Sequence, residues 1–264
     1  MALFKSTPIS EITPQTTRDV QITTRVMRMW VRKSDTEPKD LYGVELILVD
    51  EQGNNIQASV GQRLTKWFLP KLNEGDVYKI RKFSISPNSW NEMATYHPCR
   101  IWFEYSTKIV PIPNANIPLY VYNFVTFDEI FQGSMPNGLY IDVVAKLEHV
   151  YPTRVSSKNV KWRQIIIENA RQQQICCSIF GEHLDTISEI EAQYKDLKKP
   201  TMVLLHVKRS EWEGEVTLTT IRGATKFLVN PDMEEVRVFN HNRKSIGVVK
   251  QFIVPSIHPR KCKN

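Results

Sequence analysis

Glycine is scarce in this chain, ten residues in 264. None of them falls in a Gly-rich phosphate-cradling pattern, and neither His-Glu-x-x-His nor Gly-x-Ser-x-Gly occurs. Cysteine is scarcer still: Cys99, Cys176, Cys177 and Cys262 form no Cys-x-x-Cys pair. Zinc-ribbon chemistry is thereby disfavoured, and with it a disulfide framework, so a reducing compartment is expected. The six histidines are scattered without the layout of a triad. No apolar run approaches the ~20 residues of a spanning helix, and residues 1–24 lack the apolar centre of a secretory leader. These absences point to an intracellular, soluble protein that is not an enzyme and has no metal, no cofactor and no membrane partner.

Acidic residues are the minority: 28 Asp and Glu against 35 Lys and Arg give a net charge of +7 and a pI of 9.2. Such a balance suits a polyanionic partner. The hydrophobic content of 41% supports a packed core. At 264 residues, two domains of roughly 100–130 residues each are expected.

From Asp19 the pattern is strand-like. Val20, Ile22, Thr24 and Val26 alternate, then the phase slips towards Met29-Trp30-Val31, as at a β-bulge. Tyr42 to Val49 and Ile56 to Val60 read as a hairpin about Asp50-Glu51-Gln52-Gly53-Asn54. Leu64, Trp67, Phe68 and Leu72 recur at helical spacing, predicting a short helix that buries this face. Val77 to Ile85 and Arg100 to Tyr105 supply a fourth and a fifth strand. Pro111, Pro113 and Pro118 then mark a linker.

The same order repeats after the linker: Leu139 to Leu147, Lys161 to Asn169, Gln173 to Phe180, a helix over Gly181 to Tyr194, then Met202 to Arg209 and Val216 to Ile221. Five strands with one short helix between strands three and four is the order of an oligonucleotide-binding (OB) barrel. Its recurrence at a period of roughly 110 residues predicts a mainly β protein of two tandem OB-fold barrels. The expected boundaries are 1–107, a linker over 108–124, a second barrel over 125–238 and a basic extension over 239–264.

Single strands are held by a basic groove and by aromatic rings on which bases stack. Phe180 ends a strand, and Trp212 lies among Lys208, Arg209, Ser210, Glu211, Glu213 and Gly214, a loop-like setting. They are the expected platforms, with Lys208 and Arg209 holding phosphates. Trp162, between Lys161 and Arg163, could extend this face, whereas Trp30 and Trp102 lie inside strands and are expected to be structural. Arg25, Arg28, Arg32, Lys79, Arg81 and Lys82 suggest a basic stripe on the first barrel, Arg28 and Arg32 sharing a face by their spacing of four.

The turn Leu48 to Gly53 with Ile56-Gln57-Ala58, the segment Tyr122 to Ile130, Phe180-Gly181-Glu182-His183, Arg209-Ser210-Glu211-Trp212 and Val229-Asn230-Pro231-Asp232 together resemble the tandem single-strand-binding domains of the replication protein A large subunit, in a shortened plant-type form. The resemblance implies stacking on Phe180 and Trp212, a basic contact at Lys208, and a first-barrel loop aromatic at Trp90. The family's other first-barrel aromatic falls on Val60 or Gly61. It further implies single-stranded DNA as ligand, the other replication protein A subunits as protein partners, and a nuclear role in DNA replication, repair or recombination. RNA or telomere-end binding, and a scaffold for protein partners, remain alternatives on sequence.

Overall fold

The computed structural model describes residues 6–17, 19–33, 41–88, 92–113, 115–195 and 197–250, with side chains through Arg243. It divides into two units, Met1–Tyr122 and Asn123–Asn264.

The first unit is a curled sheet of β1 (Gln21–Lys33), β2 (Leu41–Val49), β3 (Asn55–Gly61), β4 (Val77–Arg81), β5 (Ser84–Pro87), β6 (Cys99–Trp102) and β7 (Lys108–Pro111). Its strand order is β5-β6-β3-β2-β1-β4-β7. Ile22 and Val26 of β1 enter the core. The register then shifts between Val26 and Arg28, and Met29 and Val31 take over the inward positions. The phase slip in the sequence is this bulge. The β2–β3 turn is tied by Asp50, whose Oδ1 accepts from Gln52 N at 3.0 Å and Asn54 N at 2.9 Å. Helix α1 (Gln62–Phe68) buries Leu64 and Phe68, but Trp67 is 52% exposed, contrary to expectation. At one residue before Phe68, the indole turns a full 100° away from the buried stripe.

Residues 108–111 were expected in the linker, yet they form β7 and pair with β4. Pro111 is tolerated because it ends an edge strand. Beyond it, Arg25 Nη2 donates to Ile117 O at 2.8 Å, and Arg25 also bonds Gly75 O, so the chain after β7 lies along its own unit.

The second unit opens on α2 (Phe127–Gln132) and continues through β8 (Tyr140–Val150), β9 (Arg154–Val155), β10 (Lys161–Glu168), β11 (Gln174–Phe180), α3 (His183–Tyr194), β12 (Thr201–Trp212), β13 (Glu215–Thr220), β14 (Lys226–Val229) and α4 (Glu234–Lys250). The ladders β8–β10, β10–β11, β11–β13, β13–β12 and β12–β8 close a five-stranded barrel. Ile141, Val143, Ile165, Ile167, Cys177, Ile179, Val207 and Leu218 fill its interior. Burial pushes the Cys177 thiol pKa up, consistent with an apolar core role. As expected, α3 lies between the third and fourth barrel strands. The pair of units is a tandem of OB folds.

The segment read as a basic extension differs from expectation. Its first part continues α4, which seats Val236 and Phe239 against the barrel. Residues 251–264 lie outside the described residues.

Candidate nucleic-acid interface

The outer face of the second barrel can be read along its ladders. Gln164, Ser178, Thr219 and Lys208 form one cross-strand row, and Ile166, Cys176, Thr217 and Ser210 the next. Trp162 and Phe180 pair on the far side of the first row, and Glu215 and Trp212 on the far side of the second. Because side chains alternate across a pleated sheet, all these residues share one surface. Three row spacings separate Phe180 from Trp212, about 20 Å along the strands. Hydroxyls of Ser178, Thr217, Thr219 and Ser210 pave the space between them. These groups can donate to phosphate oxygens without closing off the ring faces.

Local geometry sets each ring out from the barrel. Trp212 and Glu215 close a hairpin whose two loop residues, Glu213 (φ 52°) and Gly214 (φ 77°), both have positive φ. This is the two-residue turn that matches strand twist, and it projects Trp212, 66% exposed. Phe180 is the last residue of β11 and is 37% exposed; its backbone N donates to Thr220 Oγ1 at 3.1 Å. Just beyond, Glu182 Oε1 accepts from Gly223 N at 2.6 Å. Burial pushes that carboxyl up, but the backbone bonds and the nearby His183 and Arg222 outweigh it and hold its pKa below the ordinary value.

Arg209 departs from expectation. It alternates with Lys208 and so lies on the opposite face, where Nε donates to Ile130 O at 2.9 Å and Nη2 lies 3.6 Å from Glu211 Oε2. It caps the end of α2 and is not on the surface that carries Lys208.

In the first unit, Arg28 Nη1 is 2.7 Å from Glu74 Oε2, and Arg32 Nε is 3.0 Å from Glu45 Oε1. Glu45 is buried and also accepts from Gln57 Nε2 at 2.9 Å and Ser59 Oγ at 2.7 Å. The described part of the β5–β6 connection, from Glu92 on, is bonded to this surface: Ala94 N donates to Gln57 Oε1 at 2.9 Å, and Arg100 Nη2 to Glu92 O at 2.9 Å. The expected stripe is therefore divided: Arg25, Arg28 and Arg32 are spent on carbonyls and carboxylates, while Lys79 on β4 and Lys82 in the turn between β4 and β5 are exposed. Trp30 is 5% exposed, in keeping with the structural role expected of it. Trp90 lies outside the described residues. Among the described residues no three His, Cys, Asp or Glu side chains group as a metal site, and no helix is long and apolar enough to cross a membrane.

With this geometry in hand, comparison with known proteins finds a replication protein A 70 kDa DNA-binding subunit of Oryza sativa subsp. japonica, 24% identical over 202 residues, covering 74% of this chain and 31% of the relative. A replication protein A 70 kDa DNA-binding subunit of Arabidopsis thaliana is 21% identical, covering 75% of this chain and 32% of the relative. The chain resembles the replication protein A large subunit. It spans about a third of the length of these relatives. A solved replication protein A heterotrimer bound to single-stranded DNA shares the fold, with a TM-score of 0.58, 22% identity, and coverage of 92% of this chain and 55% of the matched one. Residues 10–133 also match a domain of unknown function, DUF223.

Proposed function

We propose that this chain binds single-stranded DNA, chiefly through the outer face of its second barrel. The observation that carries the reading is the exposure of Phe180 and Trp212 on the face that also carries Lys208. Two exposed rings flank a hydroxyl-lined strip on a face that also carries a lysine, the combination that grips unpaired bases and their backbone. Phosphate capture by Lys208 precedes stacking on the rings, and Trp162 extends the platform. The role is binding, not catalysis.

The first unit contributes less. Its Arg32 and Arg28 are already paired with Glu45 and Glu74, and Ala94 of the β5–β6 connection is bonded to Gln57 on the corresponding surface. By analogy with the similar subunits, the setting is DNA replication, repair or recombination in the nucleus, with other replication protein A subunits as partners.

The test is fluorescence anisotropy with an oligothymidine strand at two salt concentrations. Trp212→Ala and Phe180→Ala are each expected to lose ~1–3 kcal/mol of binding free energy. Unchanged affinity in both variants would reassign the rings to packing or to a different ligand.

A further inference from the structure

Arg154, Trp162 and Phe180 occupy one cross-strand row. Trp162 pairs with Arg154 on its β9 side and with Phe180 on its β11 side. The Arg154 guanidinium lies 5.7 Å from the centroid of the Trp162 ring. The Trp162 and Phe180 rings are nearly parallel, 19° apart in plane, with centroids 6.3 Å apart. A guanidinium is planar, cationic and able to stack, so it covers an indole much as a base would.

We propose that Arg154 is a placeholder for a nucleobase: an entering base takes the face of Trp162, and the displaced guanidinium moves to the adjoining phosphate. The inference rests on the single-strand reading above and adds to it a residue and an exchange. Two observations favour exchange over a fixed lid. The turn beyond β9 is closed within itself, Ser156 N donating to Val160 O at 2.9 Å and Asn159 N to Ser156 O at 2.9 Å. Strand β9 itself is two residues long and pairs with β10 at Lys161–Val155 and Trp162–Arg154, outside the five ladders that close the barrel, so it can shift without opening the barrel. Stacking of a base on an aromatic ring is comparable in strength to this half-buried cation–π contact, and the displaced guanidinium gains a charge-assisted bond to phosphate, which tips the exchange. Without the exchange, the guanidinium would keep covering the indole and Trp162 would be lost as a platform.

The test uses the full chain and an oligothymidine strand, with affinity followed across a salt series. Arg154→Ala is expected to weaken binding and to lower the slope of log K against log salt by roughly 0.7–1, one phosphate contact. Arg154→Lys keeps the charge and is expected to preserve the slope. Trp162→Ala is expected to lose about 5- to 150-fold in affinity, one stacked base. Thermal melting of each variant checks that the fold is intact. A fixed lid predicts the reverse for Arg154→Ala, tighter binding at an unchanged slope, and that result overturns the exchange. Phe180→Ala and Trp212→Ala, run alongside, separate the two levels. If neither of them weakens binding, the site itself is misassigned. If both weaken it while the Arg154 and Trp162 variants bind like the parent at the same slope, only the placeholder falls.

Discussion

Lys208 and Arg209 are neighbours of like charge with opposite duties, and a single residue two positions earlier decides which does what. His206 has φ of 55° and forms a bulge, with its N donating to Asp142 Oδ1 at 2.9 Å and its O accepting from Thr225 Oγ1 at 2.7 Å. The bulge moves the inward position from Leu204 to Val207, a step of three where an even step would preserve the face. Lys208 therefore faces outward and Arg209 towards α2. Lys208→Ala should lower the salt slope of strand binding by roughly 0.7–1 with little change in melting temperature. Arg209→Ala should leave that slope unchanged and cost about 1–3 kcal/mol of stability, because the Ile130 carbonyl loses a charged donor. Salt titrations and thermal unfolding of both variants check this, and equal slopes would place both side chains in one role. No count of polar and apolar residues could have made this assignment, since the bulge depends on Asp142 and Thr225, distant in sequence.

At the scale of elements, α2 shows how a short segment is made to hold. Six residues cannot sustain a helix unaided, so its ends carry the stability. Thr126 and Glu129 form a capping box, Glu129 Oε2 accepting from Thr126 N at 2.8 Å and Thr126 Oγ1 at 2.6 Å. Gly133, at φ 66°, supplies the left-handed residue beyond the last turn, and Arg209 covers it. The Thr126 hydroxyl and backbone hold the Glu129 carboxyl below its ordinary value of 4.5. A lowered carboxylate stabilises the fold fully above its unfolded pKa, and that contribution is lost as pH falls through the folded pKa. Thr126→Ala should cost ~0.5–2 kcal/mol near neutrality, and its deficit in melting temperature should narrow below about pH 4. A deficit independent of pH would sink the capping account. Other elements were legible to different degrees. Alternation disclosed the long strands and the bulge in β1, because burial on one face writes period two into the sequence. Strand β7 was hidden by Pro111, its own last residue, and by the prolines that follow it. Helix α4 was hidden by the polar run from Asn240 to Lys244, although Val236, Phe239 and Arg243 recur at helical spacing and Glu234 and Glu235 mark a first turn. Phe180 and Trp212 were found by their neighbours. Arg154 was missed because its partner across the ladder is eight residues away and no periodicity links them.

For the whole molecule, two sites joined by a tether would gain from it, and the gain would depend on how far the tether lets them separate. The net charge of +7 draws a strand to the protein, but it is shared by both units and does not say how they cooperate. The segment after β7 is not slack: Arg25 holds the carbonyls of Ala115 and Ile117, and Val121 N lies 3.1 Å from Met27 Sδ. Arg25→Ala releases this segment, and effective concentration falls as roughly the −3/2 power of the freed length. A strand of about 8 nucleotides, within the site size of one OB fold, should then bind as it does to the parent. A strand of about 30 nucleotides, long enough for both barrels, should bind several-fold more weakly. Anisotropy with the two lengths at fixed salt makes the comparison. Loss of affinity for the short strand would mean that Arg25 shapes a binding surface directly. Equal binding of the long strand by parent and variant would mean that the second barrel acts alone.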